Sequence, residues 1–198
     1  IHSFPTRRSS DLNKYSLLGG MRSAAQIISY EIPLILAMVT AVMFAGTLSI
    51  QKIVEAQKDA WFVFHPSMAV AFLVFLIAGT AEVNRTPFDI PEAESELVAG
   101  FHTEYSGMKF AMFFLGEYTN MLIISALAAV LFLGGWNGPF LHPILWFLIK
   151  TYGIVTLMMW IRWTLPRVRV DQLMNFAWKV LTPVSFVNLA VAGWVLVR

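Results

Sequence analysis

The sequence predicts an all-α membrane protein: a bundle of about five transmembrane helices with an acidic loop on the cytoplasmic side. Three observations carry this reading. Only 13% of the 198 residues are charged and 58% are apolar, with mean hydropathy +0.67, against about 25% charged in a typical soluble domain. Apolar runs near the ~20 residues needed to cross ~30 Å of hydrocarbon recur along the chain. Six of the twelve carboxylates fall between Glu82 and Glu104. Together these exclude a disordered chain, a disulfide scaffold and a cytosolic domain. A net charge of +2 with scattered basic residues argues against nucleic acid as partner. The absence of cysteine removes iron–sulfur ligation.

Residues 1–12 are polar and basic with no apolar stretch, so they are no signal peptide. They read as a translated sequencing adapter fused in frame, with a genuine cytoplasmic tail as the alternative; the first reading leaves residues 13–198 as a single transmembrane domain, truncated at its N-terminus. The spans then fall at residues 32–51, 60–81, 110–133, 143–161 and 180–197. The first two are free of formal charge up to their ends; the third is interrupted by Glu117 and the fourth by Lys150. Gly134-Gly135, Asn137-Gly138-Pro139 and Pro166 separate the later spans. Trp61, Trp136, Trp146, Trp163, Trp178 and Trp194 stand near span ends, as an interfacial belt requires. With five alternating crossings, Lys14, Arg22, Arg85, Lys109, Arg162, Arg167, Arg169 and Lys179 share one side, and Lys52, Lys58 and Arg198 the other. The excess of basic residues makes the first side cytoplasmic, and residues 82–107 with it.

That segment concentrates the chemistry. In Arg85-Thr86-Pro87-Phe88-Asp89-Ile90-Pro91 each residue before a proline is pushed out of the α region, so the run is turn-rich and extended. Pro91 suits the first turn of a helix reaching about Gly100, with Glu92 and Glu94 at its positive end. Glu92 and Glu96 then stand one turn apart; in an extended chain Glu92, Glu94 and Glu96 share a face. Carboxylates crowded beside lipid cannot all ionise cheaply, and coupled groups share protons. A solvated acidic face, or a dock for a basic partner, is the plainer alternative.

Three ionisable groups lie within the spans, where a central charge costs ~2.5–3.5 kcal/mol and marks a polar pathway. Glu117 is ~12 Å past Lys109 at 1.5 Å per residue, too deep for its short side chain to reach the interface. Glu31, after Ser29 and Tyr30, opens the first span and suits either the interface or a path. Lys150, ~10 Å past Pro143, either snorkels or serves a function. His65, His102 and His142 lack a second histidine at ligand spacing, and no phosphate-binding glycine loop is present. The residues alone therefore describe a membrane bundle that handles protons.

The run Ala81-Glu82-Val83-Asn84-Arg85-Thr86-Pro87-Phe88-Asp89-Ile90-Pro91-Glu92-Ala93-Glu94-Ser95-Glu96-Leu97 is long and specific. It continues through Gly100, His102, Glu104-Tyr105-Ser106-Gly107 and Glu117-Tyr118. It resembles the signature of the H-subunit family of NADH–quinone oxidoreductase (respiratory complex I), whose mitochondrial members are NADH dehydrogenase subunit 1. Ser29-Tyr30-Glu31, Phe132-Leu133-Gly134-Gly135-Trp136, Arg162-Trp163-Thr164-Leu165-Pro166-Arg167 and Asp171-Gln172-Leu173-Met174 support the resemblance. It implies an eight-span fold of which this chain carries the last five, in a bacterial inner membrane. It further implies a subunit without redox centres of its own that forms part of a quinone chamber and couples quinone reduction to proton pumping. Quinone is then the substrate, with FMN and iron–sulfur clusters on partner subunits of the peripheral and membrane arms. By position, the resemblance assigns the coupling path to Glu31, Glu82, Asp89, Glu92, Glu94, Glu96, Glu104 and Glu117, and the chamber to Arg85, Phe88 and Asp89. Arg85 is then a counter-ion to the carboxylates. Competing expectations are the homologous component of a membrane-bound hydrogenase, a stand-alone proton-coupled carrier, and an architectural anchor.

Overall fold

Apolar runs punctuated by glycine and proline form helices whose ends are set by the breakers, and the computed structural model shows where each breaker acts. It describes residues 14–85, 87–89 and 107–197. The first helix, α1 (Lys14–Ala45), has 32 residues, or about 48 Å at 1.5 Å per residue. It stops where Gly46 takes a left-handed φ of 64°, its N–H donating to the Val42 carbonyl at 2.9 Å. This corrects the expected first span at 32–51 in both directions. Residues beyond the break form a separate short helix, α2 (Ile50–Glu55). Upstream, the helix runs straight through Pro33. That proline removes a hydrogen bond to the Ser29 carbonyl, a loss membrane helices tolerate when neighbouring groups compensate.

A single 3-10 turn (Phe62–Phe64) leads into α3 (Pro66–Glu82), with proline in its first turn. After the loop come α4 (Met108–Phe132) and α5 (Pro143–Thr164), close to the expected third and fourth spans. The last span begins earlier than expected. Helix α6 (Val170–Phe176) passes through a π-helical turn (Ala177–Leu181) into α7 (Thr182–Val197). The wide turn immediately precedes Pro183, which has no N–H for the turn before it; Thr182 Oγ1 donates instead to the Ala177 carbonyl at 2.9 Å.

Four of these segments, 20–45, Met108–Phe132, Pro143–Thr164 and Val170–Val197, are long and apolar enough to cross a membrane. The fifth, Pro66–Glu82, is apolar but has only 17 residues, at the lower edge of spanning length. The chain is thus a membrane helical bundle, with no strand among the described residues. The helix expected from Pro91 to Gly100 lies outside the described residues, as do residues 1–12.

Helix α3 is the hub and packs against α1, α4 and α7. Small residues make close approach possible: Ala37 and Ala41 of α1 and Ala71, Ala78 and Ala81 of α3 are buried. A Cβ at Gly79 would lie 2.7 Å from Ile124 of α4. Large apolar side chains such as Leu73, Ile123, Ile149 and Val187 point outward, the inverse of a water-soluble bundle.

Candidate functional site

The C-terminal end of α3 creates the site. After Glu82 the chain reverses sharply: Val83 N–H donates to Gly79 and Asn84 N–H to Ala81, at 3.1 and 3.2 Å. Asn84 adopts φ 53°, a conformation that asparagine tolerates better than most residues. Arg85 is therefore turned back among the helices and is buried, at 6% exposure.

Its guanidinium meets α4. Arg85 Nε lies 3.3 Å from Glu117 Oε1, and Arg85 Cζ sits 4.4 Å from the centroid of the Tyr118 ring. Glu117 is itself largely enclosed, with 17% of its side chain exposed. A carboxylate that enters a membrane helix thus has a cation and a π-face beside it, which is how such a charge is made tolerable.

Three further contacts fix the loop root. Gln26 of α1 donates through Nε2 to the carbonyls of Ala81 (2.6 Å) and Phe88 (2.9 Å). Arg167 donates through Nε to the Asp89 carbonyl at 2.9 Å and through Nη2 to the same oxygen, with Asp89 Oδ2 at 3.7 Å from Nη2. Val168 N–H donates to the Pro87 carbonyl at 3.1 Å. Tyr30 packs beside Phe88, ring centroids 5.7 Å apart, and donates its hydroxyl proton to the Leu173 carbonyl at 3.1 Å. A cavity of about 460 Å³ opens here, lined by Phe88, Leu165, Pro166, Val168, Leu173 and Phe176 among others.

Of the expected residues, Glu82, Arg85, Phe88, Asp89 and Glu117 gather at this end of the bundle. Glu31 does not open a span; it lies well inside α1, because the helix starts eighteen residues earlier than the apolar run (residue 14 rather than 32). Its side chain is exposed on the flank of this chain. Glu92, Glu94, Glu96 and Glu104 lie outside the described residues. Reading the residues one by one missed Gln26, Tyr30, Tyr118 and Arg167. A lone glutamine in an apolar helix was an available signal for the first; the others depend on contacts between distant parts of the chain that no local pattern encodes.

The cluster also carries buried polar atoms without a hydrogen-bond partner among the described residues: Gln26 Oε1, Glu82 Oε2, Asn84 Oδ1 and Arg85 Nη2. Nearly all buried polar groups in native proteins are satisfied, so further groups or water belong here.

The family model for NADH dehydrogenase matches residues 9–193. The second H subunit of the NADH-quinone oxidoreductases of Geobacter sulfurreducens is 54% identical over 184 residues, covering 93% of this chain and 55% of that protein. The H subunit from Carboxydothermus hydrogenoformans is 54% identical over 93% of this chain and 53% of its own length. That of Geobacillus kaustophilus is 54% identical over 91% and 55%. The chain spans about half the length of the curated relatives it matches. On the match of the family model over most of its length, the chain belongs to the NADH dehydrogenase family, in which these relatives are subunits of NADH-quinone oxidoreductase.

Proposed function

We propose that this chain is part of the quinone-side membrane subunit of a proton-translocating NADH–quinone oxidoreductase. In this reading residues 82–107 face the cytoplasm and the peripheral arm, where partner subunits carry FMN and iron–sulfur clusters. The observation that carries it is the Arg85–Glu117 pair, 3.3 Å apart. It joins the root of the acidic loop to a carboxylate set about nine residues into a membrane helix. A change of charge near the loop, such as quinone reduction makes, alters how strongly the guanidinium holds Glu117 and so whether Glu117 keeps its negative charge. Glu82, Asp89, Glu92, Glu94, Glu96 and Glu104 feed that response, and Glu31 extends it along α1. The apolar cavity beside Phe88 offers the kind of surface that an isoprenoid chain needs.

The test is Glu117→Gln in a full-length version of the protein within the intact complex. Glutamine keeps the shape and removes the charge. Expected is a fall of tenfold or more in NADH-driven proton uptake, on the order of what removing one proton-transfer group costs, with the complex still assembled. Unchanged quinone reduction and an unchanged proton-to-electron ratio would remove Glu117 from the path. Loss of assembly with normal turnover in the residual complex would favour the anchor reading.

A further inference from the structure

At the opposite end of α4 lies a buried cation that the coupling reading does not use. Lys150 of α5 is 7% exposed, and its Nζ donates to the carbonyls of Leu133 (2.6 Å), Gly135 (3.0 Å) and Asn137 (2.7 Å). An ammonium has three N–H donors, and here each has an acceptor. The Trp61 ring lies 4.5 Å from Nζ and the Trp146 ring 5.7 Å, so the remaining directions are lined by π-faces.

The turn is shaped for this. Gly134 and Gly135 both have positive φ, 72° and 49°, which swings alternate carbonyls to one side. A Cβ at Gly134 would stand 3.1 Å from Trp61, and one at Gly135 3.0 Å from Val54, so both positions admit glycine alone without rearrangement. Asn137 Nδ2 donates to the Val54 carbonyl of α2 at 2.7 Å, and Gly135 N–H to the Ala129 carbonyl of α4 at 2.8 Å. The turn is therefore held by α2 and α4 independently of the lysine. The acceptors also sit just past the C-terminus of α4, where the helix dipole favours positive charge.

We propose that residues 133–137, with Trp61 and Trp146, form a primary-ammonium binding cage whose resident ligand is the chain's own Lys150. The lysine is then a tethered cation that locks α5 onto the end of α4. It neither snorkels to an interface nor carries protons, since losing one would leave a carbonyl facing a lone pair. This assignment is independent of the role proposed for Glu117.

Cutting the tether tests it. Lys150→Ala removes the equivalent of n-propylammonium. In the full chain purified in detergent, thermal unfolding followed by tryptophan fluorescence should show a midpoint lowered by roughly 5–10 °C. Added n-propylammonium should restore at least half of the loss, rising with concentration as linkage requires. 1-Propanol, with the same apolar body and no charge, and tetramethylammonium, with charge and no N–H, should not. An unchanged midpoint, or equal rescue by propanol, overturns the proposal. If Lys150→Ala does not fold, the unsubstituted chain decides. Acetic anhydride should modify the exposed Lys52 and Lys58 and leave Lys150 intact until the chain is unfolded; modification of Lys150 at the rate of Lys52 overturns the cage.

Discussion

Helix α4 ends in two different electrostatic solutions. At its C-terminal end Lys150 has no carboxylate partner among the described residues, yet every donor is used and two glycines are bent to supply the acceptors. At the other end Arg85 has a carboxylate at 3.3 Å, yet Nη2 and the nearby Gln26, Glu82 and Asn84 oxygens lack hydrogen-bond partners among the described residues. The first arrangement is complete by itself and resists change. The second leaves free hydrogen-bonding capacity in a buried place, which costs stability and is what a site that must exchange protons or meet other chains retains. The difference teaches that the bundle buries charge in two ways: by using every donor at one end, and by placing a counter-charge beside the cation at the other.

The largest expected effect tests that contrast directly. Arg85→Met takes away the guanidinium and leaves Glu117 in a largely enclosed place, at an expected loss of about 3 kcal/mol, as when one member of a buried pair is removed. Adding Glu117→Gln should recover most of it, because the carboxylate that faces Arg85 is then neutral. Thermal or denaturant unfolding of the four species in a full-length version of the protein gives the coupling. If the two losses simply add, Arg85 and Glu117 do not act as a pair.

The two ends also differ in how legible they were. Five apolar runs, the acidic segment and the depth of Glu117 follow from composition and helical rise, and the structure places helices on all five runs. The boundaries of the first were not legible for two local reasons. Pro33 suits a first turn as readily as an interior position, and the polar Gln26, Ser29 and Tyr30 argue against a continuous helix until their tertiary partners Ala81, Phe88, Met174 and Leu173 are known. The early start of the last helix was hidden in the same way, by Asp171, Gln172 and Asn175 diluting the hydropathy of residues 170–179. Arg85 as a counter-ion came from family resemblance; its partner came only from the fold. Lys150 stood undecided between snorkelling and function, and it does something that neither describes, because the acceptors lie in a turn whose glycines read only as breakers.

A smaller effect is expected from Gln26→Leu. The substitution puts an apolar side chain of similar length in place of the amide and removes two donated hydrogen bonds, to Ala81 and Phe88, at about 1–3 kcal/mol. Because Phe88 N–H in turn donates to the Arg85 carbonyl at 2.8 Å, the loosening should reach the arginine. Hydrogen exchange at the Phe88 amide should quicken at least tenfold while amides near residues 129–135 stay protected. Uniform acceleration at both ends would mean that the loop root is not a separately stabilised unit, and the contrast between the two ends of α4 would fail.

The smallest effect belongs to Arg167→Met. Like Arg85 it faces an acid, but its side chain and that of Asp89 are 34% and 26% exposed, and the carboxylate lies 3.7 Å away. Exposed pairs of this kind contribute about 0–1 kcal/mol, so the change in stability should stay within that range. Salt separates the parts. At 1 M, with a Debye length of about 3 Å, the ion-pair share should vanish, and what survives reports the hydrogen bonds from Arg167 to the Asp89 carbonyl. The same salt should leave the Arg85→Met loss nearly intact, since little solvent reaches that pair. A loss for Arg167→Met that equals Arg85→Met and ignores salt would show that enclosure is not what distinguishes the two arginines.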